Sequence, residues 1–190
     1  MKLLKPMLLR CYLLALIVCC QLMPSFAQNV YTKNGTVNFF SKATLENITA
    51  KTNEVTSVFN QQTGEIQFSI LIKSFRFKKS LMEQHFNENY MESGKFPKAI
   101  FKGQIIDFNK LNLATDGTYT VKVIGDLTMH GVTKKITSDG EIAVRNGLPH
   151  AQSTFNVTLS DYRISVPAIV RNNIAKTVAI TVSCLYNQKL

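Results

Sequence analysis

At 190 residues the chain is long enough for one domain with a core of its own and too short for two. Its 22 basic and 12 acidic residues leave +10, but the positive residues are dispersed, which reads first as a solvated basic surface, with attraction to anionic lipid headgroups or nucleic acid as the sharper alternative; no nucleic-acid partner is expected. Three of the four cysteines fall in the first twenty residues, which excludes a disulfide framework.

Residues 1–27 read as a secretory signal. Lys2, Lys5 and Arg10 form a positive start, residues 11–23 an uncharged apolar run too short to span a bilayer, and Pro24-Ser25-Phe26-Ala27 a cleavage site after Ala27. A lipoprotein signal fits poorly, because Val18 and Cys19 stand where lipidation of Cys19 or Cys20 needs a small residue. The expected mature chain, residues 28–190, is a single exported domain, periplasmic or secreted. It carries +7 and one cysteine, Cys184.

From there the chain is punctuated like an all-β protein. Asn34-Gly35, Thr63-Gly64, Asp116-Gly117, Asp139-Gly140 and Asn146-Gly147 are turn signals flanked by β-branched or aromatic residues. Between them apolar residues alternate. Val37 shares a face with Phe39; Ile66, Phe68, Ile70 and Ile72 share another; Tyr119, Val121, Val123, Leu127 and Met129 follow; Val178, Ile180, Val182, Cys184 and Tyr186 close the series. The runs are long, which suits an up-and-down antiparallel barrel of about eight strands better than a sandwich. The phase slips between Ile72 and Phe75, so a bulge or bend is expected near Lys73-Ser74.

One segment departs from the alternation. Ser80-Leu81-Met82-Glu83 has the pattern of a capping box, Met82, Phe86 and Tyr90 make one helical stripe, and Ser93-Gly94 offers a stop, which predicts a short helical insertion over about 80–93. The interior of such a barrel is either filled by side chains or holds a small ligand. Patterning alone leaves a solid aromatic core and a ligand cavity equally open.

Two stretches carry a resemblance. His85-Phe86-Asn87-Glu88-Asn89-Tyr90-Met91-Glu92-Ser93-Gly94-Lys95-Phe96-Pro97-Lys98-Ala99-Ile100-Phe101-Lys102-Gly103 resembles the helix-to-strand junction of the YceI-like family. The run from Tyr119 to Lys134, with Gly125-Asp126-Leu127-Thr128-Met129-His130-Gly131-Val132-Thr133 at its centre, is similar to that family's most recognisable motif. The resemblance covers about residues 30 to 187. It implies a lipocalin-like barrel that holds a polyisoprenoid, an isoprenoid quinone or another long amphiphile in an internal tunnel, with no enzymatic activity and no metal. The expected cofactor is therefore none beyond a bound isoprenoid-type lipid. The expected partner is that hydrophobic small molecule, with transient contact to a membrane surface. The apolar residues that would line the tunnel are Phe39, Phe68, Ile70, Phe75, Phe77, Met82, Phe86, Phe96, Phe101, Val121, Val123, Leu127, Phe155, Val178 and Ile180.

The remaining candidates have plainer readings. Tyr162 and Arg163, in Asp161-Tyr162-Arg163, are expected at one barrel end where they would meet a polar headgroup; loop chemistry accounts for them equally well. His85 reads as packing or capping and His130 as fixing a turn, and His150 in an apparent loop gives no third zinc ligand. No nucleophile-elbow sequence is present, and Glu88 and Glu92, one helical turn apart, read as a solvated face rather than an acid/base pair. The expected protein is a carrier. A secreted enzyme using the barrel as substrate pocket and a filled structural barrel are the alternatives.

Overall fold

Alternating side chains commit the backbone to strands with two unlike faces, and the strands close on themselves. The computed structural model describes residues 29–42, 47–167 and 174–190; the expected leader lies outside the described residues. Ten strands are seen there: β1 (Asn29–Ser41), β2 (Ile48–Asn60), β3 (Glu65–Leu71), β4 (Arg76–Phe77), β5 (Lys98–Ile105), β6 (Gly117–Met129), β7 (Val132–Arg145), β8 (Leu148–Thr158), β9 (Thr177–Leu185) and β10 (Gln188–Lys189). Every pairing is antiparallel. Eight strands form the ring β1-β2-β3-β5-β6-β7-β8-β9, closed by β9 against β1; β4 and β10 are short patches on β2 and β1. Closure removes the edges that a sheet this long would otherwise expose.

The connections follow their sequences. His130-Gly131 and Asn146-Gly147 form two-residue turns, both residues of each at positive φ, as tight hairpins require. Two of the expected turns are not turns. Asn34-Gly35 lies inside β1, where the register with β2 shifts on either side of Gly35, and Asp139-Gly140 lies inside β7. At Gly35 the reason is close approach, since a Cβ there would collide with Cys184 Sγ. The phase slip after Ile72 becomes a 3-10 turn, Ile72–Ser74, beyond which β4 pairs with β2.

The insertion is shorter than expected. Helix α1 (Ser80–His85) runs directly into a π-helical turn, Phe86–Tyr90, closed by Met91 N–H donating to Phe86 O at 2.8 Å. Lys79, not Ser80, is the N-cap. Glu83 does reach back as a capping carboxylate, but it accepts from Phe77 N–H at 3.2 Å and pairs with Arg76 at 3.2 Å. The chain reverses at Glu92, with φ of 43°, two residues before the glycine expected to do so.

Candidate ligand cavity

The inward positions of the eight ring strands do not meet at the middle of the barrel. They enclose a cavity of about 640 Å³ with a predominantly apolar wall, within the range of roughly 300–1,000 Å³ typical of small-molecule sites. The void has a cause in the sequence. Gly103 and Gly125 face one another across β5 and β6, and the Phe101 ring lies in the space their side chains would fill, 2.5 and 2.7 Å from the Cβ positions. The ring thus lies against the wall, not across the lumen. Along β7 and β8 four small residues, Ser138, Gly140, Ala151 and Ser153, stand between the larger wall residues Ile136, Ile142 and Phe155.

At one end the barrel is plugged. Val30, Val55, Phe59, Val144, Cys184 and Tyr186 form a buried layer beneath the cavity. Phe59 packs on Tyr186 and Phe108, with ring centroids 5.6 and 6.0 Å away. Ser57 donates its one hydroxyl proton to Gln67 O at 2.8 Å, so the Tyr186 hydroxyl, 2.8 Å from Ser57 Oγ, donates to it. Burial pushes the Tyr186 phenol up from its ordinary pKa, and the same burial pushes the Cys184 thiol up to about 12. Both stay neutral and serve as packing.

The opposite end opens. Ile48, Lys79, Leu81, His85, Leu159 and Ile174 border the cavity there. The helical insertion covers part of this mouth, with Met82, Phe86 and Tyr90 all turned into the cavity. Phe86 anchors it: its ring lies 5.5 Å from Phe39, 5.6 Å from Phe75 and 5.1 Å from Phe77. A second clasp holds the rim. His130, at φ of 50° in the β6–β7 turn, has Nδ1 2.9 Å from Tyr162 O and Nε2 2.8 Å from a Glu92 carboxylate oxygen. Glu92 therefore joins helix exit to strand turn and is no mere solvated face.

The wall has one seam. The β7–β8 ladder runs from Arg145–Leu148 only as far as Gly140–Ser153, so residues 132–139 and 154–158 are strand partners of β6 and β9 but not of one another. At the fork the Ser138 and Ser153 hydroxyls bridge the strands at 2.7 Å, and Ser153 donates to Asp139 O at 2.7 Å.

Of the fifteen expected lining residues, fourteen border the cavity: Phe39, Phe68, Ile70, Phe75, Phe77, Met82, Phe86, Phe101, Val121, Val123, Leu127, Phe155, Val178 and Ile180. Phe96 does not. The early reversal at Glu92 carries it outside, over the β6–β7 turn, where its ring packs edge-on against His130 at 4.7 Å. Tyr162 lies at the open barrel end, on a 3-10 turn (Leu159–Tyr162), where its side chain is buried among Ile72, Met91, Ala99 and Leu127 and does not border the cavity. Arg163 is exposed at the open end and does not border the cavity. The small residues Ser138, Gly140, Ala151 and Ser153 escaped the sequence reading. Their signal was there, a glycine and two serines at the inward phase of two strands.

The open end is also electrically distinct. The half of the barrel around it carries Lys42, Lys51, Lys73, Arg76, Lys78, Lys79, Lys95, Lys98, Lys134, Lys135, Arg163 and Lys176 against Glu83, Glu88, Glu92, Asp126 and Asp161, with Lys51 paired to Arg76 and Asp126 to Lys135 across the strands. In the other half Lys33, Lys102, Lys110, Lys122, Arg145 and Lys189 are matched by Glu54, Glu65, Asp107, Asp116, Asp139 and Glu141. The side-chain surplus of the described residues, +7, sits wholly around the mouth. No group of three His, Cys, Asp or Glu side chains placed to hold a metal ion occurs among the described residues; His150 instead bonds Ser183 Oγ at 2.7 Å.

A closed eight-stranded antiparallel barrel, plugged below, open above and apolar between, defines a protein built as a chamber of lipocalin-like shape. The chain belongs to the YceI-like family, whose domain model matches residues 29–185. Solved structures of similar fold include a polyisoprenoid binding domain from Saccharophagus degradans, at 16% identity and a TM-score of 0.74 over 87% of this chain and 100% of that one. Burkholderia cenocepacia BcnA matches at 17% identity and 0.63, over 78% of this chain and 94% of that one. A Campylobacter jejuni YCEI protein matches at 16% and 0.54, over 89% of each. No curated protein sequence matches the chain closely.

Proposed function

We propose that the protein is an exported carrier that holds an isoprenoid-type lipid, an isoprenoid quinone or a polyprenyl chain, in its barrel and performs no chemistry on it. The observation that carries this reading is the apolar chamber of about 640 Å³, closed at one end and open at the other. Burying apolar ligand surface is worth about 25 cal/mol per Å², so several hundred Å² of prenyl chain contributes on the order of 10 kcal/mol before association costs of roughly 4–15 kcal/mol. Long chains bind on those terms and short ones do not. The polyisoprenoid binding domain from Saccharophagus degradans shares the fold, which supports the ligand class. The apolar leader over residues 1–27 supports export.

The chamber counts against a filled structural barrel. An enzyme would need titratable groups facing one another across the lumen; of the ionisable side chains that border it, Lys79, His85 and Tyr90 lie at the mouth and Glu141 is exposed on β7 beside the seam, with no carboxylate or imidazole opposite among the described residues. Solvent extraction of the natively purified protein, followed by mass spectrometry, tests the reading. The expected result is one prenyl-chain lipid per barrel and a protein mass beginning at Gln28. Recovery of a soluble polar metabolite in stoichiometric amount would overturn it.

A further inference from the structure

We propose that the open end of the barrel docks on an anionic phospholipid surface, so that the mouth faces the lipid from which the chamber fills. The inference rests on the carrier reading and adds where the exchange takes place.

Two observations point to the same end of the molecule. The first is charge. All +7 of the side-chain surplus lies in the segments around the mouth, and the remainder of the described chain is neutral. A sequence that needed positive charge only for solubility would gain nothing by gathering it at one end. The second is apolar exposure. Large apolar side chains are exposed at both ends, Phe40, Leu71 and Leu81 at the mouth and Ile106, Leu148, Leu185 and Leu190 at the plug, but of these only Leu81, 60% exposed on the first turn of α1, also borders the cavity. An apolar side chain that is both exposed and continuous with the chamber, ringed by lysines, matches a membrane interface, where cations meet headgroups and a leucine inserts below them.

The geometry also removes a kinetic problem. A prenyl chain has negligible solubility, and a mouth presented to solvent would expose it in transit. With the mouth against the headgroups, each methylene passes from acyl chains to the apolar wall without crossing bulk water. Each lysine close to an anionic surface raises affinity about fivefold, an effect that salt screens.

The test uses residues 28–190, which hold the whole closed sheet and both apolar clusters. Co-sedimentation is measured with vesicles of phosphatidylcholine alone and of phosphatidylcholine mixed with phosphatidylglycerol. The expected result is binding to the mixed vesicles only, lost at high salt. A double variant at the mouth, Lys73→Glu with Lys78→Glu, is expected to weaken binding at least tenfold. The same charge change at the plugged end, Lys110→Glu with Lys189→Glu, is expected to weaken it less than threefold. Leu81→Asp serves as a third variant on the apolar contact and is expected to weaken binding as well. Equal losses in the two double variants would overturn the proposal, since the whole charge and not the mouth would then be acting. Binding to duplex DNA in preference to the mixed vesicles would overturn it too. Uptake of a fluorescent prenyl probe from vesicle-free solution, measured on the same variants, reports the chamber alone. Failure there, with vesicle docking intact, strikes at the carrier reading and not at the docking surface.

Discussion

At the scale of single residues, several positions carry constraints that alternation does not express. Gly35 is read naturally as a turn signal beside Asn34, yet it marks where β1 passes so close to Cys184 that no Cβ fits. Sequence patterning sees a glycine and cannot see the sulfur 149 positions away. Asp116 is a more exposed case. Its carboxylate accepts from Asn146 N–H at 2.7 Å and Gly147 N–H at 3.2 Å, tying the start of β6 to the β7–β8 turn, and these bonds hold its pKa below the ordinary carboxylate value. A carboxyl with a depressed folded pKa stabilises the native state above its unfolded pKa, and that contribution is lost as pH falls through the folded value. Asp116→Asn is therefore expected to lower the urea midpoint at neutral pH and to converge with the wild type in acid. A difference that persists unchanged to pH 2 would show that the charge is not what the turn uses.

Among the elements, the helical insertion shows where sequence reading ends. The stripe Met82, Phe86 and Tyr90 was legible and points into the chamber as its spacing predicts. Its termination was not, because the stop depends on Glu92 taking a left-handed conformation while its carboxylate meets His130 from another turn. That contact spans 38 residues and has no local signature. Phe96 was misplaced for the same reason. The element is held down by Phe86 among Phe39, Phe75 and Phe77, so Phe86→Ala is expected to cost about 3 kcal/mol in urea unfolding, the lower part of the range for truncating a packed phenylalanine. A loss below about 1 kcal/mol would mean that the insertion is held by the His130–Glu92 clasp instead.

For the molecule as a whole, the closed sheet was the most legible feature, since long period-two runs separated by turn signals leave few other architectures. The chamber was the least. Whether inward side chains meet or leave a void depends on summed volumes across eight strands, and it is decided by the residues that are absent: no bulk at Gly103, Gly125 and Gly140, and only hydroxyls at Ser138 and Ser153. Attention to large apolar residues finds the wall and misses what keeps it apart. On the proposed function, this void takes up one long isoprenoid chain. Calorimetric titration of the delipidated barrel with isoprenoid alcohols of increasing length tests it most directly, beside Val123→Phe, which grows a ring into the lumen. One site per barrel is expected, with affinity rising with chain length until the chamber is full and the longest ligands lost in the variant at unchanged melting temperature. Affinity indifferent to chain length, or a variant that binds every ligand as the wild type does, would contradict it.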